Sequence, residues 1–481
     1  MTDSSKAHTF LYERIAAELA EQIRMENLKL GEKLPSIRKV CRIYQVSLAT
    51  AVQAFNLLER QQLIEARPQS GYYVRGPATL PELLDQDALK QTLREQLPSC
   101  KVVTAPFINE IVAAARDPFF VPLGTATPAP ALLPLKSLQR SMMAAGRELG
   151  PESCLYELPS GNVELRRQIA QRASQSGCRT AADDIVITSG CMEALHVALA
   201  SVAKPGDTIA VECPLFFGIL DLIASLDLHI IHIPSHPDTG LDVEFLASVM
   251  QQNKIAAVLA IPNFNNPAGG LMPEARKKAL LELVSSASIP LIEDDIYGEL
   301  FHGELRPKPV KAYDSKGDVI YCSSFSKTLA PGLRLGWAIP GKYQSLFEKR
   351  KAVTTIASPT LAQYALAEYL QGDRYDRHLH QLRMKLKLQV QQYTKIILDH
   401  FPEGTRVSRP QGGFVLWVQL PEHGKAQILF ERARSEKISV IPGSVFAAHK
   451  GMFESFVRIS CGHPLNRVME QAVIKLGRLV S

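Results

Sequence analysis

The groups best suited to covalent chemistry lie in one run: Ser323-Ser324-Phe325-Ser326-Lys327-Thr328-Leu329-Ala330-Pro331-Gly332-Leu333-Arg334-Leu335-Gly336-Trp337. The run follows strand-like residues 319–322. Lys327 is therefore expected on a loop at a strand's carboxyl end, where α/β proteins bind ligands. A lysine whose pKa is lowered there by burial and nearby cations can form a Schiff base with a carbonyl. Ser324, Ser326 and Arg334 are donors suited to a phosphate, arginine being its natural bidentate partner. Two other readings compete. The segment can be a solvated loop beside a structural arginine, or Ser324-x-x-Lys327 can be the SxxK nucleophile of penicillin-binding proteins. The latter lacks its companions, since Lys327-Thr328-Leu329 is not KTG and no SDN follows.

A lysine that holds pyridoxal phosphate needs a carboxylate to keep the ring nitrogen protonated, so that the ring becomes an electron sink. Pro290-Leu291-Ile292-Glu293-Asp294-Asp295-Ile296-Tyr297 offers Asp294 for that nitrogen and Tyr297 for the phenolic oxygen. Alone, such an acidic pair is more often a helix cap or a metal ligand. Asn266, in Asn263-Phe264-Asn265-Asn266-Pro267, is a second donor to that oxygen or simply part of an Asn-Pro turn. Thr188-Ser189-Gly190-Cys191-Met192-Glu193 follows a strand and opens a helix, so its free N–H groups and dipole suit an anion. Many strand–Gly–helix junctions look alike. Phe216, after Glu212-Cys213-Pro214, is either a ring-stacking residue or a core aromatic. His229, His232 and His236 have a metal-like spacing, but the isoleucines between them read as a strand.

These residues need a scaffold that delivers them to one edge. Past Phe107 the chain alternates strands with helices, the strands falling at residues 184–188, 208–212, 256–261, 290–293 and 319–323. That alternation predicts an α/β fold with a mostly parallel central sheet. Before it, Pro77, Pro81, Pro98 and Pro106 punctuate a charged stretch that reads as a linker over residues 77–106.

The first 76 residues have a different period. Leu11, Ile15, Leu19 and Ile23 form a helical stripe. After a turn at Gly31, Ser36 can cap a second helix to about Tyr44. Ser47 can cap a third, with Val52, Phe55 and Leu58 inward and Thr50 and Gln53 outward. Residues 63–67 and 72–74 then read as strands around the tip Pro68-Gln69-Ser70-Gly71. Such a unit can put its third helix in a major groove, with Arg38, Lys39 and Arg42 on phosphates and the Ser70-Gly71 tip on the backbone or minor groove. It can equally be a packing or dimerisation module.

Residues 10–75 resemble the winged helix-turn-helix of the GntR family through Gly31-Glu32-Lys33-Leu34-Pro35-Ser36-Ile37-Arg38, Val46-Ser47, Thr50, Leu58-Glu59 and Ser70-Gly71-Tyr72-Tyr73-Val74. Leu48 stands where that family usually has arginine, so its sequence preference does not transfer. Residues 107–481 resemble the fold-type I aminotransferases, with Lys327, Asp294, Tyr297, Asn266 and Arg334 at matching motif positions. The resemblance implies a pyridoxal 5'-phosphate domain with a smaller C-terminal α/β subdomain. It further implies that Tyr156 is lent across a homodimer to the neighbour's site and that Arg458 clamps a substrate α-carboxylate. Cys191-Met192 replace the usual small or polar pair of the phosphate loop. The whole order is similar to the MocR subfamily of GntR regulators. That likeness implies a homodimeric regulator that binds double-stranded operator DNA and senses a small amino compound through an aldimine at Lys327. A working aminotransferase with a vestigial or autoregulatory head, and a scaffold without cofactor, stay open at this point.

Composition narrows the class without choosing within it. The 481 residues are 46% hydrophobic and 21% charged, the balance of a globular protein of two to four domains. No stretch has the length of a membrane span, the charged N-terminal residues lack an apolar h-region so that a secretory signal is not expected, and eight scattered cysteines lack CxxC or zinc spacing. A cytoplasmic protein with free thiols is expected. Half of the net charge of +6 falls in residues 1–76, which hold 11 Lys+Arg against 8 Asp+Glu. This is compatible with DNA binding but weak evidence for it.

Overall fold

The computed structural model describes residues 11–24, 28, 31–60, 63–67, 70–74, 93, 99–102, 110, 111, 113, 114, 117–421 and 424–480. Its contacts divide the chain into two units, Met1–Pro81 and Glu82–Ser481.

The first unit contains α1 (Leu11–Arg24), α2 (Ile37–Tyr44), α3 (Leu48–Arg60), β1 (Ile64–Arg67) and β2 (Gly71–Val74). The Ser36 hydroxyl accepts the Lys39 amide at 3.3 Å and starts α2; left-handed Gln45 (φ 51°) ends it. Ser47 starts α3 by accepting the Thr50 amide at 3.1 Å. Ile15, Leu19 and Ile23 are buried as their spacing predicts, but Leu11 is 47% exposed. It opens the first turn of α1. Phe55 and Leu58 face inward with Ala51 and Ala54, while Val52 is only half-buried. Positions 51, 54, 55 and 58 follow the 3.6-residue period more closely than 52, 55 and 58 do. The strands pair antiparallel from Ile64↔Val74 to Arg67↔Gly71. The expected tip residues Pro68 and Gln69 lie outside the described residues. One element had no sequence signal. Residues 31–34 pair with β2 through Gly31 N–H to Val74 O (2.9 Å), Leu34 N–H to Tyr72 O (2.8 Å) and Val74 N–H to Glu32 O (2.8 Å).

The second unit is built on two sheets. The larger joins β3 (Cys100–Lys101), β4 (Val186–Thr188), β5 (Thr208–Cys213), β6 (His229–His236), β7 (Gly240–Leu241), β8 (Ala257–Ala260), β9 (Leu291–Asp294), β10 (Val319–Ser324) and β11 (Gly336–Ile339). Its order is β3-β6-β5-β8-β9-β10-β11-β4, with β7 beside β6. From β6 to β10 every neighbouring pair is parallel. The margins are antiparallel. Connecting helices cover the sheet: α4 (Leu135–Leu149), α5 (Val163–Gln175), α6 (Cys191–Val202), α7 (Phe217–Ser225), α8 (Val243–Gln252) and α9 (Glu274–Ser286). Coverage on both faces suits strands such as Ala257-Val258-Leu259-Ala260, in which every residue is buried. The fold class is therefore α/β with a parallel centre.

Helices α10 (Gln344–Thr354), α11 (Thr360–Leu370) and α12 (Arg374–His400) lead to the C-terminal subdomain. There β12 (Arg406–Val407), β13 (Val415–Gln419), β14 (Ile441–Pro442) and β15 (Phe456–Ser460) form an antiparallel sheet in the order β12-β13-β15-β14. Helices α13 (Ala426–Ser435) and α14 (Arg467–Leu479) belong to this subdomain.

Most of the stretch read as a linker, residues 77–106, lies outside the described residues. Within it Leu93 is buried in the second unit's core, and Cys100 pairs with Ile230 at the sheet margin. Among the described residues no helix is long and apolar enough to cross a membrane.

Candidate functional site

The parallel strands β8, β9 and β10 end on one edge of the sheet, and each end leads to a residue the sequence singled out. Asn266 follows β8, Asp294 closes β9, and Lys327 comes three residues after β10. The register sets Asp294 opposite Cys322, two residues before the end of β10. Strand β4 reaches the same edge because it is separated from β10 by β11, and two antiparallel steps restore the direction. Ser189, Gly190 and the start of α6 therefore join the cluster.

Lys327 donates from Nζ to the Ala126 carbonyl at 2.6 Å, and that nitrogen lies 5.9 Å from the centre of the Tyr297 ring. Burial, assisted by the Arg458 guanidinium, lowers its ammonium to about 8. Asp294 accepts from the Ile296 amide at 3.1 Å and from Cys191 Sγ at 3.4 Å, both on Oδ1. Burial raises its carboxyl to about 6, against the pull of those donors and of Lys327. Burial likewise pushes the Tyr297 phenol up to about 12. Arg458, on β15, is 2% exposed; its Nη1 donates to Asn266 Oδ1 at 3.0 Å and its Nη2 to the Gly124 carbonyl. Its Nε is buried with no partner, and burial lowers the guanidinium to about 10. A buried cation with an unfilled donor is a site for an anion.

A second polar centre surrounds the start of α6. Arg334 donates from Nη2 to the Ser189 carbonyl at 2.9 Å. Gly190 has φ +95°, and a Cβ there would stand 2.6 Å from Arg334 Nη2. The opposing Gly336 is equally constrained, since its Cβ would meet the Gly190 carbonyl carbon at 2.6 Å. The expectation of free amides throughout this junction needs correcting at Ser189. Its N–H donates to Glu193, whose carboxylate also accepts from Thr355 Oγ1 at 2.5 Å and pairs with the fully buried Lys351 at 3.4 Å. Cys191 also does more than the sequence suggested, because its thiol reaches Asp294. Ser324 and Ser326 are buried beside Lys327, with the Ser326 amide donating to Ser324 Oγ at 3.0 Å.

Phe216 caps α7, half-buried, its ring tilted against Phe217 at 4.7 Å. Tyr156 is 84% exposed. The Gly124 and Ala126 carbonyls had no signature in the sequence, because a backbone contact can be made by any residue type. Asp295, the other half of the acidic pair, is saturated by Asn263 Nδ2 (2.8 Å), Arg306 Nη2 (2.7 Å) and the Tyr321 hydroxyl (2.8 Å). Its environment is that of a structural anchor. His232 is buried on β6, where it accepts the Ala448 amide at 3.0 Å and burial lowers it to about 3. Among the described residues no cluster of metal-ligating side chains occurs.

In the first unit Arg38, Lys39, Arg42 and Gln53 are exposed, and Gly71 (φ +111°) is exposed on β2. The Ser36 and Ser47 hydroxyls, expected at DNA, serve as helix caps. Thr50, expected outward, is half-buried and shares a 2.8 Å hydrogen bond with Ser47. Capping fixes these side chains before any partner arrives.

Comparison with known proteins gives each unit a counterpart. The model of the bacterial regulatory proteins, gntR family, matches residues 11–74, and that of aminotransferase class I and II matches residues 134–475. The chain is 36% identical to the uncharacterized HTH-type transcriptional regulator YjiR of Escherichia coli (strain K12), over 98% of both chains. It is 34% identical to YdcR of the same organism, again over 98% of both. Among solved structures it resembles LysN, the alpha-aminoadipate aminotransferase of Thermus thermophilus, complexed with N-(5'-phosphopyridoxyl)-L-leucine. That likeness has a TM-score of 0.72 and 27% identity, covering 78% of this chain and 94% of that one.

Proposed function

Because the chain belongs to the MocR-like HTH-type transcriptional regulators, which join a gntR-family head to a body of the aminotransferase class I and II family, we propose that it is a pyridoxal-phosphate-dependent regulator, binding operator DNA with its head and a small amino compound with its body. The carrying observation is the meeting of Lys327, Asp294, Tyr297, Asn266 and Arg458 at one sheet edge. We assign residues 1–76 to the head, 77–106 to the linker and 107–481 to the body.

The residues fit the cofactor chemically. The unfilled Arg458 Nε and the cradle that only a glycine at 190 leaves open are both places for anions. Bound pyridoxal phosphate would supply a carbonyl that condenses with amines and a protonated ring that draws electron density from them. Lys327 is the amine for that carbonyl: with its ammonium near 8, a useful fraction is neutral at cellular pH. Asp294 would hold the proton on the ring nitrogen, while Tyr297 and Asn266 would donate to the phenolic oxygen. Ser189, Gly190, Cys191, Ser324, Ser326 and Arg334 would hold the phosphate, and Phe216 would cover the ring. Arg458 would take the ligand's α-carboxylate.

In the head, Arg38 would neutralise phosphate, with Gln53 and Thr50 toward base edges, Ser36 and Ser47 near the backbone, and Gly71 at the wing. Two heads are needed to read a two-fold operator. The body would pair as a homodimer in which exposed Tyr156 completes the neighbour's site. The protein would act in the cytoplasm, where its DNA lies.

Footprinting of the upstream DNA, with and without candidate amino acids, tests the reading when combined with borohydride trapping of the cofactor. Wild-type protein should protect an operator, change that footprint with one amino compound, and carry reduced cofactor on Lys327. Lys327→Ala should carry none. Cofactor trapped on another residue, or a footprint insensitive to every amino compound, would overturn it.

A further inference from the structure

We infer that Cys191 is a positioning residue for Asp294: its thiol fixes one carboxylate oxygen and leaves the other to a ligand's N–H. The inference rests on the cofactor reading above in its consequence, though the thiol–carboxylate pair itself does not need a cofactor.

Cys191 is the first residue of α6, and a side chain there leans back toward the helix N-terminus. The side chain is buried against the sheet, in one cluster with Val186 and Cys322. The thiol meets Asp294, which ends a different strand, β9. The two donors to Oδ1 are the Ile296 amide at 3.1 Å and Cys191 Sγ at 3.4 Å. The amide is fixed by the chain and cannot be varied. The thiol is the adjustable donor.

The charges nearby show why that donor matters. Asp295 repels the Asp294 carboxylate and Lys327 attracts it. Glu212, also in its field, is pushed up to about 8 by burial, so it is mostly protonated at neutral pH. Tyr297 and Cys322 are likewise raised and neutral. Asp294 is thus a buried anion opposed by its chain neighbour and supported by one lysine and two hydrogen bonds. A weak thiol donor is sufficient to hold one rotamer, and it adds no charge to compete with a ring nitrogen.

The test uses the full chain and the variants Cys191→Ala, Cys191→Ser and Asp294→Asn. Cofactor-free protein is read by the infrared S–H stretch, the Cys191 band being the one lost in Cys191→Ala. Asp294→Asn, a weaker acceptor, should move that band; an unmoved band would overturn the pairing. Pyridoxal phosphate is then titrated by absorbance across pH 5 to 9. Cys191→Ala should weaken binding about fivefold and raise the acid-side midpoint of the visible band, and Cys191→Ser should restore both. Equal affinity and midpoint in Cys191→Ala would overturn the positioning role. Should wild-type protein fail to bind the cofactor, the functional reading fails while the infrared result still decides the pair.

Discussion

Arg458 is distinguished by a guanidinium that is buried, lowered to about 10 and left with a free Nε. Lysine at this place keeps a charge but loses the planar fork that grips a carboxylate by two bonds. Arg458→Lys should weaken an α-carboxylate ligand about 10- to 100-fold while leaving cofactor affinity within about twofold, as calorimetry would show. Equal loss for both would place Arg458 in the framework instead. Glu212 makes a prediction of another kind. Burial raises its carboxyl from 4.5 to about 8, so the stability it contributes is full below 4.5 and is lost as pH rises through about 8. Relative to Glu212→Gln, wild-type protein should lose ground across that window in urea unfolding; a gap independent of pH would refute the assignment. That Lys327, Asp294, Tyr297 and Asn266 belong together was legible from motif spacing, because side-chain type is what their proposed roles require. Arg458 came through family resemblance, since one arginine in Val457-Arg458-Ile459 carries no chemistry of its own. The thiol contact of Cys191 was hidden: spacing says that a helix begins there, not which way its first side chain leans.

At the level of elements, the junction between β4 and α6 concentrates the backbone constraints of the site. Alanine at position 190 would meet Arg334 at 2.6 Å and would have to adopt φ +95°. Gly190→Ala should weaken cofactor binding by more than about tenfold while the circular dichroism of the body is preserved. Unchanged affinity would show that the cradle holds no phosphate. The parallel strands were legible because buried apolar runs bounded by helices have few other solutions. The antiparallel return of β11 was not, although it alone brings β4 to the functional edge. Residues 31–34 escaped for a related reason. Gly31-Glu32-Lys33-Leu34 has no β-rich alternation, and its pairing depends on β2 rather than on its own side chains.

For the whole molecule, the proposed function is the coupling of a head that would bind phosphate backbones to a body that would bind an amine. Arg38 is exposed on α2 and takes no part in the head's core. Arg38→Ala should weaken binding across DNA sequences and reduce the slope of log affinity against log salt by about 0.9. A slope equal to that of wild type would remove Arg38 from the interface. The two-part organisation was visible in the change of hydrophobic period near residue 76, close to the contact division after Pro81. The sheet's claim on Cys100-Lys101 was not visible, because edge pairing by two residues is too short to leave a pattern.

The Gly124 and Ala126 carbonyls already hold one donor nitrogen each on Arg458 and Lys327, the two basic groups a ligand would use. A ligand that takes those two donors enters by exchange, in which a resident neutral acceptor leaves as an incoming one arrives. Such an exchange favours a carboxylate over any uncharged oxygen, because only the anion improves on the carbonyl it displaces. It also leaves two peptide oxygens without those donors, a state that proteins rarely tolerate where the groups are buried. Water must follow the ligand in, or residues 124–126 must shift. The backbone next to Leu123, whose carbonyl accepts the Ser460 amide of β15, would register either event. Selectivity for the ligand and its mechanical consequence thus arise from the same pair of bonds.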